Sequence, residues 1–278
     1  VLTVRNKRLR FGERTFVMGV INITPDSFSG DGLLDTNAAV KLALLQIEAG
    51  ADLIDIGGQS TRPGHTPIEP DEELARILPV ITALRGRSDA IISVDTHSPK
   101  VFAAARQAGA DLLNSIWGLE RGMLACVKES ICPVVIMHNK LVAEYPSSGV
   151  VKEVRDYLFK SANQALTAGL TAEQIILDPG IGFGKTADDN LAILSQLHQI
   201  TSLGFPTLLG TSRKSTIGKL TKREPADRLL GTAATIALAV QSGIDIVRVH
   251  DVAEIIDTVR VADAVVRGWR PRHWGRDG

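Results

Sequence analysis

The chain has 278 residues, 44% hydrophobic and 22% charged, and its 31 Lys plus Arg balance 31 Asp plus Glu to a formal net charge of zero. That composition suits a globular protein with a large core, and the balanced charge offers no electrostatic footprint for nucleic acid or an anionic membrane. No apolar run reaches the roughly 18 residues of a membrane span, and residues 1–12 alternate charged and apolar side chains without a signal-peptide core. The expectation is a cytoplasmic protein whose two cysteines, Cys126 and Cys132, are buried free thiols rather than a disulfide or zinc site.

Residues 16–21 (FVMGVI) read as a strand closed by Asn22, followed by a polar loop over 24–35 and a helix over 37–49 that stops at Gly50. The cycle repeats with a strand at 52–56 (DLIDI), a Gly/Pro-rich loop through Pro70 and a helix over 71–84. Strand 90–94 precedes helix 99–108, and a short strand spans 111–113. Strand 133–137 precedes helix 150–168, strand 174–177 precedes helix 188–200, strand 206–209 precedes helix 226–242, and strand 245–249 precedes helix 253–267. Near-continuous apolar strands are buried on both faces, and their alternation with helices implies a parallel sheet with right-handed crossovers. Eight units argue for closure into a single (β/α)8 TIM barrel, about 250 residues in the usual case. The barrel should occupy about 15–268 as the only domain, without a linker, and the tail after Gly268 should be irregular. The recurring Gly50-Ala51-Asp52, Gly109-Ala110-Asp111 and Gly243-Ile244-Asp245 triplets read as helix-to-strand turns of the scaffold.

Each apolar run ends in a residue suited to binding: Asn22, the Gly57-Gly58 pair, Asp95, Asn114, His138, Asp178, the Ser212-Arg213-Lys214 triplet, and Arg248 with His250. A parallel barrel gathers such endings at one mouth. Two loops there, 22–32 with Asp26 and Asp31, and 57–64 with Thr61, Arg62 and Pro63, exceed the usual length of about 2–6 residues. Lys214, Arg248 and His250 follow the last two strands, where many barrels hold phosphate, and 248 and 250 share a face by parity. Asp95, Asn114 and Asp178 form an acid and amide row that suits a donor-rich ligand such as an amino-substituted heterocycle. The run 178–185 contains GxGxG at the wrong spacing for a dinucleotide fingerprint, and reads as a flexible mouth loop bearing Phe183. Together these groups suit a flat heterocycle joined to phosphate or pyrophosphate; no catalytic triad or zinc cluster stands out.

The segments MGVINITPDSFS, GADLIDIGGQSTRPG, ISVDT, DPGIGFGK, TSRKSTIGKL and VRVHDV, in this order along nearly the whole chain, resemble dihydropteroate synthase, the folate-pathway family inhibited by sulfonamides. The resemblance implies an enzyme that joins 6-hydroxymethyl-7,8-dihydropterin pyrophosphate to p-aminobenzoate, giving 7,8-dihydropteroate and pyrophosphate. It implies a pterin pocket at Asp95, Asn114, Asp178 and Lys214, and a pyrophosphate site at Asn22, Thr61, Arg62, Arg248 and His250, with Asn22 also a Mg2+ ligand. It places p-aminobenzoate at Ser212, Phe183, Pro63 and Lys214, gives a first-loop carboxylate (Asp31, or else Asp26) the stabilisation of a pterin cation, and implies a homodimer. Three positions depart from the family pattern: Gly30-Asp31 in place of Asp-Gly, Gln59 for a Glu, and Thr216 for a bulkier residue that would otherwise narrow the p-aminobenzoate side. The alternatives are a pterin-binding methyltransferase acting on methyltetrahydrofolate, and a pterin-binding protein without turnover.

Overall fold

A computed structural model of the chain describes residues 1–24, 35–59, 68–120, 122–130, 132–147, 149–271 and 274–275. It begins with a hairpin, β1 (Leu2–Val4) and β2 (Lys7–Leu9), and continues through β3 (Phe16–Asn22), α1 (Thr36–Ala49), β4 (Leu53–Gly57), α2 (Pro70–Arg85), β5 (Ile91–Asp95) and α3 (Pro99–Ala108). Then come β6 (Leu112–Ser115), α4 (Met123–Ser130), β7 (Val134–Met137), α5 (Val150–Thr167), β8 (Ile175–Asp178), α6 (Ala187–Ser195) and α7 (His198–Thr201). The last elements are β9 (Leu208–Leu209), α8 (Ser215–Thr221), α9 (Leu229–Gln241), β10 (Ile246–Val249) and α10 (Val252–Val266).

β3 to β10 form one eight-stranded parallel sheet in the order β8-β7-β6-β5-β4-β3-β10-β9. A parallel bridge from Leu177 to Thr207 returns β8 to the segment entering β9 and brings the ring round. The expected TIM barrel is therefore the observed architecture. Its strand side chains alternate between two apolar clusters. One lies outside the strands, where Ile54, Ile92 and Leu113 meet Ile77, Phe102 and Leu158 of the helices. The other fills the barrel floor with Phe16, Met18, Leu53, Ile91, Leu112, Val135, Ile176, Leu208 and Ile246. Leu2, Val4 and Leu9 belong to that floor cluster, so the hairpin stoppers the barrel from below. The alternation in residues 1–12 is thus a strand pattern, an element beyond the expected set.

Other departures are local. The helix expected over 188–200 is two pieces, because Gln196 leaves helical geometry (φ −126°, ψ 27°) between α6 and α7. The helix expected from 226 begins at Leu229, after a 3-10 turn at Pro225–Asp227. α4 and α8 were not expected. The scaffold turns behave as read: Gly50 caps α1 at φ 114°, a left-handed conformation that any Cβ would strain. Each following aspartate then caps a neighbouring strand: Asp52 accepts from the Val17 N–H (3.0 Å), Asp111 from Ile92 (2.9 Å) and Asp245 from Thr207 (3.0 Å). Both cysteines are free, Cys132 buried and Cys126 half-buried, against the expectation that both lie inside. Among the described residues no helix is long and apolar enough to cross a membrane.

Candidate active site

Two residues beyond the floor, the inward face turns polar, as the period of two requires. Leu53 is followed by Asp55, Ile91 by Ser93 and Asp95, Leu112 by Asn114, Ile176 by Asp178, and Ile246 by Arg248 and then His250. By the same parity Met18 leads to Asn22 and Leu208 to Ser212. The strand register sets these groups side by side: Asn22 pairs with Gly57, Gly57 with Asp95, and Asp95 with Asn114. A hydrocarbon plug thus supports a polar cup at the C-terminal ends of the strands.

Arg248 is bracketed by carboxylates within this cup. Its Nε donates to Asp55 Oδ2 at 2.7 Å and its Nη2 to Asp95 Oδ2 at 3.3 Å. The amide nitrogen of Asn114 donates to the same Asp55 oxygen at 2.9 Å, which leaves its carbonyl oxygen as an acceptor. Asp55, with no exposed surface, is the functional residue missing from the sequence expectations, since it lies inside the run DLIDI and not at its end. Its shared parity with Leu53 was the signal. Arg248, expected at the pyrophosphate, is therefore also the partner of the acid row. Asp55 Oδ1, Ser93 Oγ and Asp95 Oδ1 are buried without a hydrogen-bond partner among the described residues. Buried polar atoms in that condition are uncommon in scaffold and mark a place that takes polar ligands.

Electrostatics binds the cup into one unit. Burial, then the nearby Asp55 charge, pushes Asp95 up to about 7 despite Arg248. Burial also raises Asp178, against the Lys214 charge and the Gly180 N–H, which donates to Asp178 Oδ1 at 2.7 Å. Burial pushes Lys214 down to about 8, with Asp178 opposing. Lys214 donates to the Ile181 carbonyl and stands 4.6 Å over the Phe183 ring. The loop that carries this ring is pinned, contrary to the flexible loop expected. Gly182 N–H donates to Asn190 Oδ1 (2.8 Å), and Tyr145 donates its hydroxyl to the Gly184 carbonyl (2.6 Å).

At the other side of the cup, His250 and Ser212 are joined. His250 Nδ1 lies 3.0 Å from Ser212 Oγ, and the His250 N–H donates to the same oxygen at 3.2 Å. Gln46 of α1 donates to the His250 carbonyl at 3.3 Å. Ser212, expected beside Phe183 and Lys214, is thus placed with the imidazole of the expected anion group. Arg213 pairs with Asp251 (Nε to Oδ2, 2.9 Å), stitching the segments after β9 and β10. Thr216 is 4% exposed, and its hydroxyl accepts from Asn190 at 3.0 Å. Asp26, Asp31, Thr61, Arg62 and Pro63 lie outside the described residues. Among the described residues no group of three His, Cys, Asp or Glu side chains could hold a metal.

Residues 18–250 match the family model described as pterin binding enzyme. The chain belongs to the pterin-binding enzyme family. The matched span runs from the floor residue Met18 to the rim residue His250. Within the family, dihydropteroate synthase of Bacillus subtilis (strain 168) is 42% identical over 269 residues, covering 96% of this chain and 94% of that protein. The solved Xanthomonas albilineans dihydropteroate synthase with 4-aminobenzoic acid matches at TM-score 0.87 and 43% identity, over 94% of this chain and 95% of that one. The Yersinia pestis enzyme in a sulfonamide drug complex matches at TM-score 0.91 and 35% identity, over 96% and 99%.

Proposed function

We propose that this pterin-binding enzyme is a transferase that catalyses the dihydropteroate synthase reaction, joining 6-hydroxymethyl-7,8-dihydropterin pyrophosphate to p-aminobenzoate. The observation that carries the reading is the convergence of buried acceptors, an amide and three basic side chains in one cup above the barrel floor. Asp95 and Asp178 accept from the amino and ring N–H groups of the pterin, Asn114 meets another edge, and Lys214 contacts the ring. Arg248 and His250, with Asn22, Thr61 and Arg62, take the pyrophosphate. Phe183, Pro63 and Lys214 flank p-aminobenzoate, and Ser212 supplies a hydroxyl between its carboxylate and His250. Sulfonamides occupy the same side.

The chemistry is a dissociative substitution. The bond from the pterin methylene carbon to the pyrophosphate oxygen breaks, and the electron pair leaves with pyrophosphate. The Arg248 guanidinium and a ring N–H of His250 stabilise that departing charge as fixed hydrogen-bond donors. The cation left on the electron-rich pterin is stabilised by a first-loop carboxylate, Asp31 or else Asp26. The arylamine nitrogen then forms the new bond and loses a proton; it is neutral at pH 7, so orientation matters more than a strong base. Asn22, half-buried at the end of β3, would hold Mg2+ through its amide oxygen, a hard donor, alongside the substrate's phosphates. When bound, Mg2+ would neutralise charge on the leaving group.

The chain is proposed to work as a cytoplasmic homodimer. Free thiols support the compartment. The dimer is supported by the outward faces of α9 and α10, where Leu230 is 83% and Val265 79% exposed while Ile236 and Val259 face the core. The deciding assay is pyrophosphate release. It should require both substrates and Mg2+; no release from the complete mixture, equal release without p-aminobenzoate, or methyl transfer from methyltetrahydrofolate instead, would end the proposal.

A further inference from the structure

Behind the Phe183 ring, the mouth loop is tied to the end of β7 by a lysine outside the polar cup. Lys185 Nζ donates to the Phe183 carbonyl (2.9 Å), to the His138 carbonyl (3.3 Å) and to His138 Nδ1 (2.9 Å). An ammonium has three N–H donors and all three are used. With Lys185 charged, the ring nitrogen accepts, which requires a neutral imidazole. Burial, then the charges of Lys185 and Lys140, pushes His138 down to about 3, so the ring stays neutral across any working pH. The His138 N–H in turn donates to the Asp178 carbonyl at 3.0 Å.

There is no slack between the two loops. A Cβ on Gly180 would fall 2.0 Å from the His138 carbonyl oxygen, and one on Gly184 would fall 2.1 Å from that of Lys140. The loop is therefore pressed onto residues 138–140 at its back, while Lys214 engages its front through the Ile181 carbonyl and the Phe183 ring. Moving the back moves the wall against which Lys214 stands. Burial pushes Lys185 down to about 7, with Asp178 and Asp189 opposing and Lys214 and Lys140 assisting.

We infer that Lys185 is a positioning residue for the arylamine substrate: by tying the Phe183 carbonyl to His138, it sets the Phe183 ring against Lys214 and so governs p-aminobenzoate binding without touching it. The inference rests on the proposed reading that Phe183 and Lys214 flank p-aminobenzoate.

The test is steady-state kinetics on the 278-residue chain with Lys185→Met, Phe183→Ala and the double variant, plus His138→Phe. Lys185→Met should raise KM for p-aminobenzoate about tenfold, because small misplacements of positioning groups are costly. Its KM for the pterin pyrophosphate should stay within about twofold and its kcat within about threefold. Phe183→Ala should raise the same KM, and the double variant should be no worse than Phe183→Ala, since residues acting through one another are not additive. His138→Phe, which keeps a ring but removes its acceptor nitrogen, should shift the same KM in the same direction and keeps the test open if Lys185→Met does not fold. An equal rise in both KM values, a fall confined to kcat, an additive double variant or an unchanged KM in His138→Phe would overturn the inference. If Phe183→Ala leaves KM for p-aminobenzoate unchanged, the underlying assignment of Phe183 fails and the inference falls with it.

Discussion

Asp55 shares one oxygen between the Arg248 guanidinium and the Asn114 amide, so its removal strips two site residues of a partner at once. Asp55→Ala leaves the guanidinium with Asp95 as its remaining ion-pair partner among the described residues, and breaking a buried pair in this way costs about 3–5 kcal/mol. Urea unfolding should show that loss, and kcat/KM should fall at least about a hundredfold as Arg248 and Asn114 lose their orientation. Asp55→Asn, which keeps an acceptor, should be milder in both measurements. Asp95 makes a pH-dependent counterpart. Its carboxyl, ordinarily at 3.8, is held up at about 7 in the folded chain, so the native state binds this proton more tightly than the unfolded chain does. The stability it contributes is fully present below its unfolded value and is lost as pH rises towards 7. Asp95→Asn, neutral at every pH, should therefore gain stability relative to the wild type as pH rises from 4 to 7, a gain that urea unfolding at the two pH values would show. Pterin affinity should strengthen through the same upper range in the wild type alone, because the ionised carboxylate is the better acceptor. Asp95, Asn114 and Asp178 were legible in the sequence because each stands at or next to a strand's C-terminal end, where chemistry concentrates. Asp55 was not, because an aspartate flanked by isoleucines reads as part of the strand unless the parity of Leu53 is carried forward. The joining of Ser212 to His250 depends on how two neighbouring strand ends approach, which no single segment reveals.

The hairpin β1–β2 separates stability from chemistry. Leu2, Val4 and Leu9 belong to the floor cluster and make no hydrogen bond or ion pair with the cup's polar side chains among the described residues. Leu9→Ala should cost about 2–5 kcal/mol, the range for a large-to-small change at a buried leucine, while KM for both substrates in the surviving folded fraction stays unchanged. A change in KM would mean that the floor transmits strain to the mouth. All eight barrel strands were legible to within one or two residues, since continuous apolar runs bounded by glycine and proline have few other readings. The hairpin was not. Its turn uses Arg5 at φ 55°, a left-handed conformation in a residue that does not announce a turn, and Lys7 and Arg8 make the second strand look like a charged terminus. α8 was hidden for another reason: it starts at Ser215, directly after the Ser212-Arg213-Lys214 triplet, and seven residues with one glycine carry little periodicity.

At the scale of the molecule, the barrel divides its labour along its axis. The aspartates after Gly50, Gly109 and Gly243 lock strand starts at the bottom, hydrocarbon fills the floor, and the charged cup crowns the top. The exposed apolar faces of α9 and α10 lie on the outer layer, away from this axis. Val265→Glu should therefore halve the mass measured by sedimentation equilibrium without altering KM; a wild type that sediments as a single chain would remove the dimer. The central claim is that the acids recognising a fused-ring base and the cations receiving its leaving group line the same cup. A crystal structure of the wild type with pterin pyrophosphate and Mg2+ tests this most directly. The account predicts ring N–H groups within hydrogen-bond distance of Asp95 and Asp178, and phosphate oxygens on Arg248 and His250, in one continuous site. A ring bound away from Asp178, or phosphates held in a cavity that does not include His250, would contradict it.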